Sequence, residues 1–186
     1  MMGEQHKKHS RREHLNDFHL NVAGEYVYDG ALYACQSDDA KQRRLKRAVW
    51  GMAAILIIAV IAGGCIPAPG MQNCFYVLLP YLGEFLGAAS VIWALAKLGM
   101  DWSAVREYNY KKSVAVLPVR TAVTAVFSLL GIVCELIFFF VNDHAGQTFF
   151  ALLYVLLKLT ALLSALVLRA EIMQAEWDKL PKKDNS

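Results

Sequence analysis

Residues 75–98 read FYVLLPYLGEFLGAASVIWALAKL, an apolar run that carries a glutamate, Glu84, near its middle. The run has the roughly 20 residues that a helix needs to cross a hydrocarbon core of about 30 Å at about 1.5 Å of rise per residue. Three further runs, at about 48–66, 117–141 and 148–168, have the same length and character. The sequence therefore predicts an all-α membrane protein with four transmembrane helices.

The composition agrees with this fold class, since 56% of the 186 residues are hydrophobic and the apolar residues are concentrated in the long runs. Helices buried in the core of a soluble domain are seldom so long and so uniformly apolar. The predicted transmembrane domain covers 37–180, which leaves little of the chain for a separate soluble domain. The polar segments 1–20 and 181–186 are predicted to be disordered tails.

Basic residues lie on one side of the predicted bundle. The segment before the first span, the loop after the second and the C-terminal tail are rich in Lys and Arg, whereas the loops at 67–74 and 142–147 contain neither. Loops rich in Lys and Arg remain in the cytoplasm, so both termini are expected on the cytoplasmic side of the cell membrane. The lipid bilayer is thus the partner that the basic runs indicate, and no nucleic-acid partner is predicted.

The segment 21–36 contains the clearest strand signal. Two short runs rich in Tyr and Val flank Asp29-Gly30, a dipeptide that favours two-residue hairpin turns because glycine accepts positive φ. The pattern predicts a short cytoplasmic β-hairpin-like segment before the first helix, with an irregular lead-in as the alternative. Farther along, a short helix is predicted at about 101–110, and the fourth helix is predicted to continue past the membrane and to stop before Pro181.

Cys65 and Cys74 stand at the two ends of the short loop that follows the first span. An oxidising compartment permits a disulfide between them, but two free thiols fit the sequence equally well, and Cys134 is a rival partner. The chain has no CxxC motif and no Cys/His cluster. No metal site and no cofactor are therefore predicted.

Three ionisable residues, Glu84, Glu135 and Lys158, lie inside the predicted spans. Helical rise places them about 13–14 Å, 9 Å and 15 Å from the outer ends of their helices. A charge exposed to lipid at such depth costs at least about 2.5–3.5 kcal/mol, so these side chains are expected to face one another. One lysine cannot neutralise two carboxylates. We therefore expect one glutamate to pair with Lys158 and the other to be protonated, because desolvation disfavours the charged form.

Each of these charges belongs to a helical stripe of small or polar residues, which allow helices to approach closely in lipid. Beside Glu84, Gly83 and Gly87 form a GxxxG motif, and Pro80 is predicted to kink the second span. The stripe of the third span contains Thr121, Thr124, Ser128, Gly131, Glu135 and Asn142. That of the fourth contains Ala151, Tyr154, Lys158, Ala161 and Ala165.

Motifs of the common enzyme classes, such as HExxH, GxSxG and a phosphate-binding glycine loop, do not occur in the sequence, and a non-catalytic protein is predicted. Two functions remain. In the first, the charges fix the helix register of a membrane component or partner subunit. In the alternative, Glu84, Glu135 and Lys158 form the polar site of a small oligomeric transporter or channel. Self-association or a membrane partner protein is compatible with both.

Overall fold

A computed structural model describes residues 18–20, 24, 26–28, 30–36, 38–99, 101–142 and 147–181. The described chain is mostly helical, with five short strands. The helices are α1 (Asp39–Cys65), α2 (Pro69–Asn73), α3 (Phe75–Leu98), α4 (Glu107–Lys112), α5 (Leu117–Val141) and α6 (Thr148–Gln174). The strands are β1 (Phe18–Leu20), β2 (Tyr26–Tyr28), β3 (Leu32–Cys35), β4 (Val105–Arg106) and β5 (Trp177–Lys179).

The prediction of four spans is confirmed, since α1, α3, α5 and α6 are each long and apolar enough to cross a membrane. Their outward faces carry large exposed apolar side chains, such as Ile58, Leu86 and Phe140, which suit contact with lipid. Residues 1–17 and 182–186 of the predicted tails, which cover 1–20 and 181–186, lie outside the described residues. Residues 18–20, which the sequence assigns to the N-terminal tail, form β1.

The four long helices form an antiparallel bundle. Helix α6 packs on α1 and on α5, α5 packs on α3, and α1 and α3 share a smaller contact that closes the ring. At one end, here called the sheet end, α1 and α5 begin and α3 and α6 finish. The apolar core lies toward this end, around residues such as Leu56, Leu95 and Leu168. The interior nearer the opposite end, here called the loop end, contains the buried ionisable residues.

A three-stranded antiparallel sheet caps the sheet end, and its presence corrects the all-α fold class. Strand β3 lies in the middle, with Tyr33 opposite Val105 of β4 on one side and opposite Lys179 of β5 on the other. Each strand adjoins a different long helix, so the sheet joins the ends of α1, α3 and α6. Because its partners come from distant parts of the chain, no local sequence signal predicted it.

The predicted hairpin around Asp29-Gly30 is also corrected. Both flanking runs are strands, but β2 pairs with β1, with Phe18 opposite Tyr28, while β3 pairs in the three-stranded sheet. An isolated two-stranded hairpin is marginally stable in water. Pairing in the larger sheet provides β3 with two neighbours and with helices to pack against.

Aromatic side chains of the sheet pack against aromatic side chains of the adjoining helix and loop. Tyr33 of β3 stacks on Tyr110 of α4 with ring centroids 4.3 Å apart, and Trp177 of β5 lies 5.7 Å from the ring of Trp102. Packing of Trp177 in this cluster explains why the fourth helix ends at Gln174 instead of continuing toward Pro181.

The helix predicted at 101–110 is shorter than expected. Asp101 accepts hydrogen bonds from the backbone N–H of Ser103 at 3.0 Å and from its hydroxyl at 2.6 Å, which makes a turn. These bonds hold the pKa of the Asp101 carboxyl below its usual range. The next residues enter β4, and helix begins only at Glu107.

Candidate functional site

Glu84 of α3 and Lys158 of α6 form an ion pair in the interior of the bundle, with Lys158 Nζ against Glu84 Oε2. Both residues are fully buried, since Glu84 is 0% exposed and Lys158 is 1% exposed. The sequence left open which glutamate lies beside the lysine, and the geometry places Glu84 there. Each partner removes the cost of an isolated charge in the interior.

A glycine on the intervening helix makes this contact possible. Helix α5 lies between α3 and α6, and the Lys158 side chain crosses it at Gly131. A Cβ built at Gly131 would lie 3.6 Å from both Cδ and Cε of Lys158, and 3.9 Å from the Tyr154 hydroxyl. Any side chain longer than a methyl group would therefore occupy the path that the lysine takes to α3.

Helix α5 contributes the second partner of the carboxylate. The Ser128 hydroxyl donates a hydrogen bond to Glu84 Oε1 at 2.6 Å, so both carboxylate oxygens of Glu84 have a partner. Ser128 is itself 0% exposed and belongs to the polar stripe that the sequence predicts on this helix. The pair thus joins three of the four long helices through one carboxylate.

Two tyrosine rings complete the surroundings of the lysine. Lys158 Nζ lies 4.5 Å from the ring centroid of Tyr81 and 5.0 Å from that of Tyr154, both within the range of cation–π attraction. Tyr154 was part of the predicted stripe, but Tyr81 was missed. Its position three residues before Glu84 puts it on the same helical face, and that spacing is the signal that could have identified it.

Glu135 is buried as well but belongs to a different contact. Its Oε1 accepts a hydrogen bond of 3.3 Å from the backbone N–H of Gly70, in the short helix α2 of the loop after the first span. A Cβ at Gly70 would clash with Glu135 Oε2, so a side chain at position 70 would displace the Glu135 carboxylate from its present place. Among the described residues Lys158 forms an ion pair with Glu84, and the hydrogen bond described for Glu135 is the one from Gly70.

The glycines of the GxxxG motif pack against α5 within the same chain. A Cβ at Gly83 would clash with the ring of Phe127, and one at Gly87 would lie 2.6 Å from Thr124 Oγ1. Pro80 is buried inside the continuous helix α3. The kink predicted at Pro80 stays a prediction.

The cysteines are thiols in this structure, including Cys65 and Cys74 at the ends of the loop that contains α2. Within the described part of the chain, no group of three or more His, Cys, Asp or Glu side chains is placed to hold a metal ion. The described site therefore consists of the Glu84–Lys158 pair with Ser128, Tyr81 and Tyr154 around it.

Comparisons of this chain with protein-family models, with characterised proteins and with solved structures give no match. In this site the Lys158 ammonium group balances the charge of the Glu84 carboxylate, and the contacts of Glu84 with Lys158 and Ser128 join α3, α5 and α6.

Proposed function

We propose that this protein is a non-catalytic, multi-pass component of the cell membrane, with both termini in the cytoplasm, which docks a partner protein through its three-stranded sheet. The observation that carries the proposal is the closure of the Glu84–Lys158 pair. A site that passes an ion or a substrate must exchange its ligands with water or substrate. Here both oxygens of Glu84 are occupied, and neither side chain reaches the surface.

This closed pair supports a structural role because its loss would be costly. Removing one partner of a buried ion pair leaves an uncompensated charge and typically costs about 3–5 kcal/mol. The interior then acts as a rigid frame that sets the positions of the helix ends. Those ends hold the sheet, which is the surface we assign to the partner.

The sheet has an edge that suits docking. Strand β5 lies at one side of the strand order β4–β3–β5, and no other described strand pairs with its outer edge. Asp178, Lys179 and Leu180 are exposed along this edge. Free strand edges readily accept a strand from another chain, with backbone hydrogen bonds as the source of affinity.

A site-specific photo-crosslinker tests the docking surface in native membranes. With the crosslinker at Lys179, we expect a discrete adduct with one partner protein. The matched control places it at Ser103, which is exposed at the same end of the bundle but lies outside the sheet. Absence of an adduct at Lys179, or the same adducts at both positions, would contradict docking through the β5 edge.

A small transporter is the second candidate, and one observation favours it. The buried hydroxyl of Tyr154 has no hydrogen-bond partner among the described residues, and it lies within electrostatic range of both Glu84 and Glu135. It could therefore connect the ion pair with the carboxylate that contacts the loop-end helix α2.

Proton flux in proteoliposomes separates the two candidates. For the structural role we expect the wild-type protein and a Tyr154→Phe variant to show the flux of protein-free liposomes under an imposed pH gradient. A flux that the wild type supports and Tyr154→Phe abolishes, with the stability of the protein retained, would favour transport instead.

A further inference from the structure

Three basic residues at the sheet end of the bundle, Lys97 of α3, Lys112 of α4 and Arg120 of α5, are not paired with acids among the described residues. This contrasts with Lys111, which forms an ion pair with Glu107 at 2.5 Å within α4. Their three elements are neighbours, because α3 contacts both α4 and α5. The result is a concentration of positive charge that is not paired with an acid in the part of the chain that the structure describes.

These cations are held by contacts that leave most of their donors available. Lys97 Nζ lies 5.3 Å from the ring centroid of Trp93, and Lys112 Nζ donates to the Tyr108 hydroxyl at 2.9 Å. The hydrogen bond from Lys112 and the positive charges of Lys112 and Lys97 lower the pKa of the Tyr108 hydroxyl. An ammonium group has three N–H donors, so each lysine retains donors for an external acceptor.

Arg120 lies deeper along the same side of α3. One of its terminal nitrogens donates to the backbone oxygen of Ser90 at 2.6 Å, and a guanidinium group has five N–H donors in all. Ser90 and Lys97 are seven residues apart, which is two helical turns or about 10–11 Å. Along the axis of α3, Lys97 therefore lies near the sheet end of the bundle, and the Arg120 contact at Ser90 lies farther from that end, deeper in the bundle.

The surface beside these groups opens toward lipid. Trp93 is 62% exposed, and it continues an exposed apolar face of α3 that includes Leu82 and Leu86. Tryptophan at the end of such a face is typical of the interface between hydrocarbon and headgroups. A ligand with a phosphate at the lysines can thus lay an acyl chain along α3, which a soluble phosphate compound cannot do.

We infer that the surface formed by Trp93, Lys97, Tyr108, Lys112 and Arg120 binds one anionic phospholipid. Its phosphate accepts hydrogen bonds from Lys97 and Lys112, and Arg120 donates to the ester oxygens at the deeper level. One acyl chain lies against Trp93 and the apolar face of α3. Charge complementarity decides for an anionic headgroup over a zwitterionic one.

Lipid titration of the purified full chain, followed by native mass spectrometry, tests this assignment. The probes are phosphatidylglycerol, phosphatidylcholine of the same acyl chains, and inorganic phosphate. We expect one bound phosphatidylglycerol with clear preference over phosphatidylcholine. The double variant Lys97→Gln/Lys112→Gln should weaken that binding roughly thirtyfold.

The matched control is Lys41→Gln/Arg43→Gln, which removes the same charge from exposed positions on α1. We expect this control to retain the binding of the wild type. Equal weakening by both double variants, equal binding of the two lipids, or displacement of the lipid by inorganic phosphate would each overturn the proposal. Because Lys97 and Lys112 are both exposed, the glutamine substitutions are expected to leave the fold intact, and unfolding of the double variant in detergent is measured beside its lipid binding.

Discussion

Replacing Gly87 with alanine perturbs the close approach of α3 and α5 on which the ion pair depends. The added Cβ would lie 2.6 Å from Thr124 Oγ1 and 3.3 Å from Thr124 Cα. The Oγ1 atom donates to the backbone oxygen of Arg120 at 2.9 Å, and Cα belongs to the helix backbone, so neither atom can move aside freely. The two helices must therefore separate or the side chains must leave their preferred rotamers.

The expected cost follows from comparison with Gly51→Ala in α1, where a Cβ would meet nothing within 4 Å. Overpacking typically costs about 1–3 kcal/mol. Replacing a helical glycine with alanine also contributes a gain of roughly 0.5–1 kcal/mol, but this gain is common to both variants. Gly87→Ala should thus be less stable than Gly51→Ala by about 1–3 kcal/mol.

Reversible unfolding in mixed micelles, followed by tryptophan fluorescence, measures both free energies of unfolding. Adding Thr124→Ala to Gly87→Ala removes the closest atom and should recover part of the loss. Equal stability of Gly87→Ala and Gly51→Ala would show that α3 does not pack against α5 closely enough to exclude a Cβ at position 87.

Two further outcomes follow from individual hydrogen bonds. Ser128→Ala leaves Glu84 Oε1 without its hydrogen-bond donor and should lower the free energy of unfolding by about 1–3 kcal/mol. Ser164→Ala removes only a hydrogen bond to the backbone of its own helix and should lower the free energy of unfolding by less. Equal losses of the two variants in micelle unfolding would contradict the role of Ser128. Because the folded-state pKa of Asp101 is lowered, chiefly by hydrogen bonds from Ser103, the stability that it contributes is present above the ordinary value of 3.8 and is lost as the pH falls through the folded pKa. The protection factor of the Ser103 amide, which corrects for the slower intrinsic exchange in acid, should therefore fall as the pH is lowered, and Asp101→Asn should remove that pH dependence. An unchanged pH profile of the protection factor in Asp101→Asn would show that another group is responsible.

The four spans were predictable because each needs only a local property, about 20 apolar residues in a row. The bounds of α3 and α5 agree with the predicted runs at 75–98 and 117–141. The inward orientation of Glu84 and Lys158 was also predictable, since a charge exposed to lipid at that depth is costly.

The rest depends on contacts between distant parts of the chain. The residues of strand β5 continue the helical pattern of the fourth span in the sequence. They form a strand because Trp177 packs against Trp102 and because their backbone pairs with β3. The spacing of Tyr81 from Glu84 places both on one face of α3, but the contact of Tyr81 with Lys158 also depends on the position of α6 in the bundle, which the sequence does not specify. Contact between Gly70 and Glu135 likewise requires α2 to fold back onto the bundle.

A double-mutant cycle on Glu84→Gln and Lys158→Met tests most directly whether the buried ion pair has a structural role. The matched cycle uses Glu107→Gln and Lys111→Met, at the two residues that form the more exposed ion pair. We predict that each interior single variant loses about 3–5 kcal/mol of unfolding free energy and that the double variant regains much of it. The exposed cycle should give a coupling of less than about 1 kcal/mol. Additive losses in the interior cycle, or no loss of stability in any variant, would contradict a structural role for the buried pair.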